Sequence, residues 1–311
     1  MSLYLSLIQA MIVILGLVLV GFILKRRGVI SAGDRAIFGR LTTDLALPAL
    51  IFATLSRQNI QEGELAAVWI MAVSLLSCMV LAWIVGRALG LLASQLGAFI
   101  LVASFGSSST LGYALISQTF TDPAALGEAV IISELGVGIP IFTVGVAVAI
   151  YFGQGRGGSI QSSFKAFLKS PIFISLVLGL AVAFLHLNWD VFPLIILTRI
   201  LDLLGGTLAI FVALAVALML RPIPFRSLAP LILAAAAIKL LAKPLLAFAL
   251  ARVELLDPLD MEILLIETAM PSGTVAAVLA DRYGCDGGLA SALLIATFAV
   301  SLITIPLIML L

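Results

Sequence analysis

Charge is scarce in this chain. Only 11% of its 311 residues are Asp, Glu, Lys or Arg, and 63% are hydrophobic. A soluble domain is about a quarter charged and close to half apolar. Histidine occurs once, as His186, and cysteine twice, as Cys78 and Cys285. So few ligands assemble neither a metal cluster nor a disulfide framework. No phosphate loop or nucleotide fingerprint is present, which excludes ATP-driven pumping by this chain alone. The net charge of +1 leaves no basic face for nucleic acid. A hydrolase needs a nucleophile beside a base, and His186 falls at the outer end of an apolar segment. An enzyme is therefore not expected, nor a cofactor. Long hydrophobic runs are abundant, which makes a lipid bilayer the first partner.

A helix needs roughly 20 apolar residues to cross the hydrocarbon core. Ten stretches qualify: about 4–24, 36–56, 66–91, 95–119, 126–151, 170–188, 192–220, 228–250, 260–281 and 287–310. The first carries no charge, and Lys25-Arg26-Arg27 follows it rather than precedes it. It is expected to be a span and not a cleaved signal. Basic residues orient the spans. Alternate loops hold Lys25, Arg26, Arg27, Arg35, Arg40, Arg87, Arg156, Lys165, Lys169, Arg221, Arg226 and Arg282. The opposite loops hold only Arg57 and Arg252. This bias predicts a multi-pass protein of the cell (inner) membrane with both termini on the non-cytoplasmic side. Span seven carries Arg199 and Asp202, three residues apart, which are expected to pair along the helix. Its outer end is expected to form a separate short helix.

Five spans precede the glycine-rich loop Gly153–Gly158 and five follow it. The text of the two halves matches weakly but in register. Span two reads DLALPALIFA from Asp44, and span seven reads DLLGGTLAIFVA from Asp202. Each has an aspartate, a helix breaker (Pro48, or Gly205-Gly206) and an Ile-Phe pair. Span four is polar at Gly106-Ser107-Ser108-Ser109-Thr110, and span nine is polar at Pro271-Ser272-Gly273-Thr274. An odd number of spans per half inverts one half against the other, as in secondary transporters. The expected organisation is a first five-helix repeat over 1–152, a cytoplasmic linker over 153–169 and a second repeat over 170–311.

A broken helix in lipid leaves backbone groups without partners unless protein or a water-filled cavity supplies them. Half-helix N-termini then offer N–H donors and partial positive charge to an anion. Ser107, Ser108, Ser109, Thr110, Pro271, Ser272, Gly273 and Thr274 are the candidate substrate-binding residues. Pro48, Gly106, Gly112 and Pro140 are candidate helix breakers. The bland reading is that Ser and Thr bond back to their own helices, glycines pack, and prolines only kink. Asp44, Glu134, Lys239, Lys243 and Glu267 fall inside spans, where ionisable residues are costly and suggest function. Glu267 precedes Pro271 by one helical turn. It is a candidate coupling residue, a cation ligand or a structural partner of Lys239. Lys243 lies nearer a span end, where snorkelling is expected.

LALPALIF (45–52), ASFGSSSTLGYAL (103–115), SELGVGIPIFTVG (133–145) and AMPSGTVAAVLADRYGCD with ASALLIATFAVSLITIPL (269–307) resemble the auxin efflux carrier, or PIN-like, family. The resemblance covers essentially the whole chain. It implies an all-α membrane protein with ten transmembrane helices in two inverted five-helix repeats. It also implies broken crossing helices 4 and 9, as in a sodium/proton-antiporter-like fold. The implied function is secondary transport of a small organic anion, auxin in plants and malonate- or malate-type carboxylates in bacteria. Elevator-like alternating access and a homodimer are implied as well. Uniport and proton-linked modes both stay open. Two positions depart from the pattern: Ser107 stands where many relatives have Asn, and Ala114 where many have Pro. The competing readings are a sodium- or proton-coupled cation carrier, with Glu267, Asp44 and Glu134 as ligands, and a sensor built on a transporter-like fold.

Overall fold

The computed structural model describes residues 3–57, 62–153, 161, 165, 168–185, 189, 191–219 and 225–310. His186, Arg156, Arg221 and most of the 153–169 linker lie outside the described residues. All regular structure among the described residues is helical. In chain order the helices are α1 (Tyr4–Arg26), α2 (Ile37–Leu55), α3 (Leu65–Ala88), α4 (Ala93–Ser104), α5 (Tyr113–Thr119) and α6 (Pro123–Phe152). There follow α7 (Pro171–Ala183), α8 (Leu194–Leu218), α9 (Leu228–Glu254), α10 (Pro258–Ala269), α11 (Thr274–Arg282) and α12 (Gly287–Ile308).

Seven of these (α1, α2, α3, α6, α8, α9 and α12) are long and apolar enough to cross a membrane. The other three expected spans are not single long helices. The fourth is divided into α4 and α5, and the ninth into α10 and α11. The sixth is represented by α7, with 13 residues. Large apolar side chains such as Ile12, Trp69, Leu203 and Ile303 point outward. Exposed apolar surface on this scale fits a lipid environment rather than water. The chain is thus a multi-pass helical membrane protein.

Pro48, Pro140 and Pro244 do not break their helices. A proline removes one N–H donor and crowds the carbonyl one turn earlier. Each is preceded by a wide π turn that absorbs the misfit: Thr42–Ala46, Glu134–Gly138 and Ala237–Ala242. The expectation that Pro48 and Pro140 interrupt the chain is therefore corrected. Gly112 is corrected too, because it closes the wide turn Ser108–Gly112 and the chain runs on into α5. Asp44, Glu134 and Lys239 each sit inside one of the three proline-linked turns. Such turns recur at functional sites.

The described residues form two compact units. One comprises 1–61, 109–130 and 168–221, and the other 62–108, 131–167 and 222–311. Each draws on both halves of the sequence. In the first unit, α2 packs against α7 and α8. The α2–α8 contact is close because Gly205 meets the backbone of Leu50. Helix α8 is interrupted only at Thr207, which bears out part of the two-piece expectation for span seven. Arg57, at the end of α2, donates to both carboxylate oxygens of Asp202, at 3.1 and 3.3 Å. The expected Arg199–Asp202 pair is thus replaced by a pair between two helices. In the second unit, α3 packs against α4, α9 and α10, and α12 packs against α4, α10 and α11.

Gly205→Val would place side-chain carbon 3.1 Å or less from Leu50 Cα. Overpacking of this kind costs about 1–3 kcal/mol. The expected result is a lower unfolding midpoint for purified Gly205→Val. Gly206→Ala, whose added carbon meets nothing within 4 Å, should leave the midpoint nearly unchanged.

Candidate functional site

The second unit holds a crossing of two interrupted helices. Helix α4 ends at Ser104, and Phe105 is extended (φ −88°, ψ 125°). Helix α10 ends at Ala269, and Met270 is extended (φ −56°, ψ 143°). The two extended stretches lie antiparallel, with Gly106 opposite Ser272. Ser107 N–H donates to Pro271 O at 2.8 Å, and Gly273 N–H donates to Phe105 O at 3.0 Å. Each break thereby satisfies backbone groups of the other, as a buried chain requires. Proline suits position 271, where only the carbonyl is used. Glycine is needed at position 273, since a Cβ there would come within 2.6 Å of Gly106 O.

Helix ends leave carbonyls without intrahelical partners and carry partial negative charge. Lysines from α9 meet both ends. Lys239 Nζ donates to Thr268 O at 2.9 Å, and Lys243 Nζ donates to Ser104 O at 3.3 Å. Both side chains are fully buried. The expectation that Lys243 snorkels is therefore overturned: the open carbonyl of Ser104 draws it inward. Lys239 also lies against Gly106, where an added Cβ would stand 3.0 Å from its Nζ.

The hydroxyls divide into two groups. Ser272 is buried; its Oγ donates to Val102 O at 2.7 Å and accepts from Thr297 Oγ1 at 2.9 Å. Ser108 is buried and accepts from Ser133 Oγ at 2.7 Å. These two brace the crossing rather than face open space. Ser107 is buried, while Ser109, Thr110 and Thr274 are partly exposed. Gly273 caps α11 without a side-chain hydrogen bond. Thr297 and Ser133 were missed in the sequence. Their only signal was a hydroxyl within an apolar helix, which usually means bonding to the residue's own turn.

Glu267 is fully buried, and neither carboxyl oxygen has a hydrogen-bond partner among the described residues. Of the three roles open to Glu267 in the sequence, the hydrogen-bonded pair with Lys239 is not formed: Lys239 bonds to the carbonyl of the following residue instead. Lys243, Glu134 and Lys239 are the charged groups close enough to act on Glu267 electrostatically. Glu134 is buried in its wide turn. Asp44, expected to be buried, is exposed and accepts from Thr43 Oγ1 at 2.9 Å. Among the described residues no group of three or more His, Cys, Asp or Glu is placed to hold a metal ion. In the first unit a cavity of about 210 Å³ is lined by Thr54, Ser117, Gln118, Asp202 and apolar neighbours.

Gly273→Ala is expected to part the crossing and remove the two backbone bonds between its segments. Each hydrogen bond contributes about 0.5–1.5 kcal/mol. Thermal unfolding of the purified variant should show a lower midpoint, together with reduced uptake in any transport assay the parent supports.

The sequence matches the family described as membrane transport protein over residues 6–154 and 159–309. An uncharacterized transporter of Methanocaldococcus jannaschii is 28% identical over 304 residues, covering 96% of both chains. An uncharacterized transporter of Methanothermobacter thermautotrophicus is 26% identical over 305 residues, again covering 96% of both. The family match extends over both sides of the crossing and nearly the whole chain, and on that ground the protein belongs to the membrane transport protein family, the auxin efflux carrier or PIN-like group.

Proposed function

We propose that the protein is a secondary transporter that carries a small organic anion, of carboxylate type, across the cell membrane. The observation that carries this reading is the crossing, with a buried lysine on the carbonyl end of each broken helix. The lysine N–H groups answer the negative helix ends. Gly273, the residue that caps α11, has no side chain to occupy the N–H groups that open it, and Thr274 beside them is partly exposed. N–H groups at a half-helix N-terminus suit a carboxylate. Ser109 and Thr110, also partly exposed, are the further hydroxyls proposed for substrate.

The topology proposed is ten membrane segments in two inverted five-helix repeats, 1–152 and 170–311, joined by a cytoplasmic linker. Both termini then lie on the non-cytoplasmic side. The basic-residue bias and the resemblance support this arrangement. Alternating access is of the elevator type, with the unit that holds the crossing as the carrying part, in a homodimer.

Glu267 is proposed as the proton-coupling residue. It is buried without a hydrogen-bonded partner one turn before the break, and a carboxylate so placed is costly unless neutralised. Proton-linked uptake should rise as the pH falls on the side from which substrate enters.

Two measurements test the reading. Small carboxylates should raise the unfolding temperature of the purified protein, by mass action to about 2.7 kcal/mol at a hundred times Kd. Sodium alone raising it, with no carboxylate effect, would favour a cation carrier instead. In proteoliposomes, Glu267→Gln should still bind carboxylate but show a flat pH profile. A profile as steep as that of the parent would remove Glu267 from the coupling role.

A further inference from the structure

We infer that Lys239 acts as a tethered monovalent cation, its ammonium filling the carbonyl site at the end of α10 where a free alkali ion would otherwise bind. This deepens the transport reading by naming how the crossing is balanced, and it rests on that reading only for the uptake arm of the test.

The geometry carries it. Broken membrane helices bind alkali ions through unwound backbone carbonyls and the C-terminal ends of half-helices. Thr268 O is such a group, one residue from the end of α10, and Lys239 Nζ holds it at 2.9 Å. On its other side Nζ abuts Gly106 in the facing break, where the missing side chain leaves room for an ammonium. The lysine therefore touches both interrupted segments at once, as a bridging ion would. Lys243 repeats the arrangement at the end of α4 through Ser104 O.

The charge of Lys239 is not used on a carboxylate. Lys239 Nζ donates to a backbone carbonyl, unlike Arg57 in the other unit, which pairs with Asp202. Glu267 is close enough to act on Lys239 electrostatically, as are Lys243 and Cys78, but Glu267 makes no hydrogen bond to it. The Cys78 thiol donates to Ile238 O at 3.8 Å. The partners of the ammonium are thus the dipoles of the crossing, the same partners a mobile sodium or potassium ion would have. A lysine bound to the chain cannot leave with the substrate. Sodium and potassium are then unnecessary to hold the crossing, and Glu267 stays available for a proton.

The test uses the purified full chain in nanodiscs without carboxylate. Unfolding temperature is followed against sodium, potassium and methylammonium chloride, with choline chloride holding ionic strength. The parent protein should be indifferent to all three cations. Lys239→Ala should unfold at a temperature lower by roughly 3–6 °C, since it leaves a buried carbonyl without its partner. One or more of the small cations should restore it saturably. Lys239→Met, similar in length but uncharged, should be destabilised without that recovery, because its side chain fills the space. A saturable rise of the parent with sodium or potassium overturns the inference. So does a folded Lys239→Ala that ignores all three cations. If Lys239→Ala does not fold, the parent titration decides by itself: a flat response supports the tethered cation and a rise overturns it. In proteoliposomes, replacing sodium by choline should leave parental uptake unchanged. Because the titration contains no carboxylate, failure of the anion reading leaves its outcome untouched.

Discussion

A backbone that leaves its helix inside a membrane must find partners for its N–H and C=O groups, because lipid offers none. At the crossing each interrupted segment finds them in the other. Ser107 N–H reaches Pro271 O and Gly273 N–H reaches Phe105 O. Two such bonds cannot satisfy every freed group. The remaining carbonyls of Ser104 and Thr268 take the ammonium groups of Lys243 and Lys239. Glycines 106 and 273 let the backbones approach, Pro271 contributes only its carbonyl, and Ser272 is tied to Val102 and Thr297 behind them. Nearly every polar residue in this part of the apolar interior answers to the same requirement.

The prolines show a second way of handling the same difficulty. Pro48, Pro140 and Pro244 each follow a wide turn instead of a gap. The helix keeps its path and most of its hydrogen bonds, and the distortion is local. That Asp44, Glu134 and Lys239 all occupy these turns links the charges to the widened backbone. For Lys239 the benefit is visible, since its turn faces the crossing. Asp44 gains nothing comparable: it is exposed and accepts from its neighbour Thr43.

The electrostatic balance of the crossing follows. Two lysines and two carboxyl groups, Glu134 and Glu267, are buried in one region, yet Glu267 bonds to neither lysine. The lysines bind helix ends and the carboxyl of Glu267 is left without a hydrogen-bonded partner. A lysine paired with Glu267 would abandon the helix-end carbonyl it now holds. An unmade hydrogen bond in such a place is expensive, so the carbonyls win. Seen this way, Glu267 and the lysines have separate tasks, though they sit close enough to influence one another.

Much of this was legible in the sequence. Hydrophobic runs of the right length identify a membrane protein, because lipid thickness sets helix length. Polar breaks at Gly106–Thr110 and Pro271–Thr274 identify the interrupted helices, because such residues are costly in lipid without a purpose. These are local properties of the chain, and composition carries them. Partner choice is not local. Proline at 48 and 140 reads the same in sequence whether a helix stops or widens. Asp202 has Arg199 three residues away, yet it pairs with Arg57, 145 residues away. Lys243 reads as a snorkelling residue until an open carbonyl appears beside it. The sequence alone determined that this chain crosses the membrane and that its fourth and ninth segments are interrupted. Only the tertiary structure decided which charges face one another, because direction and distance between helices are set by packing.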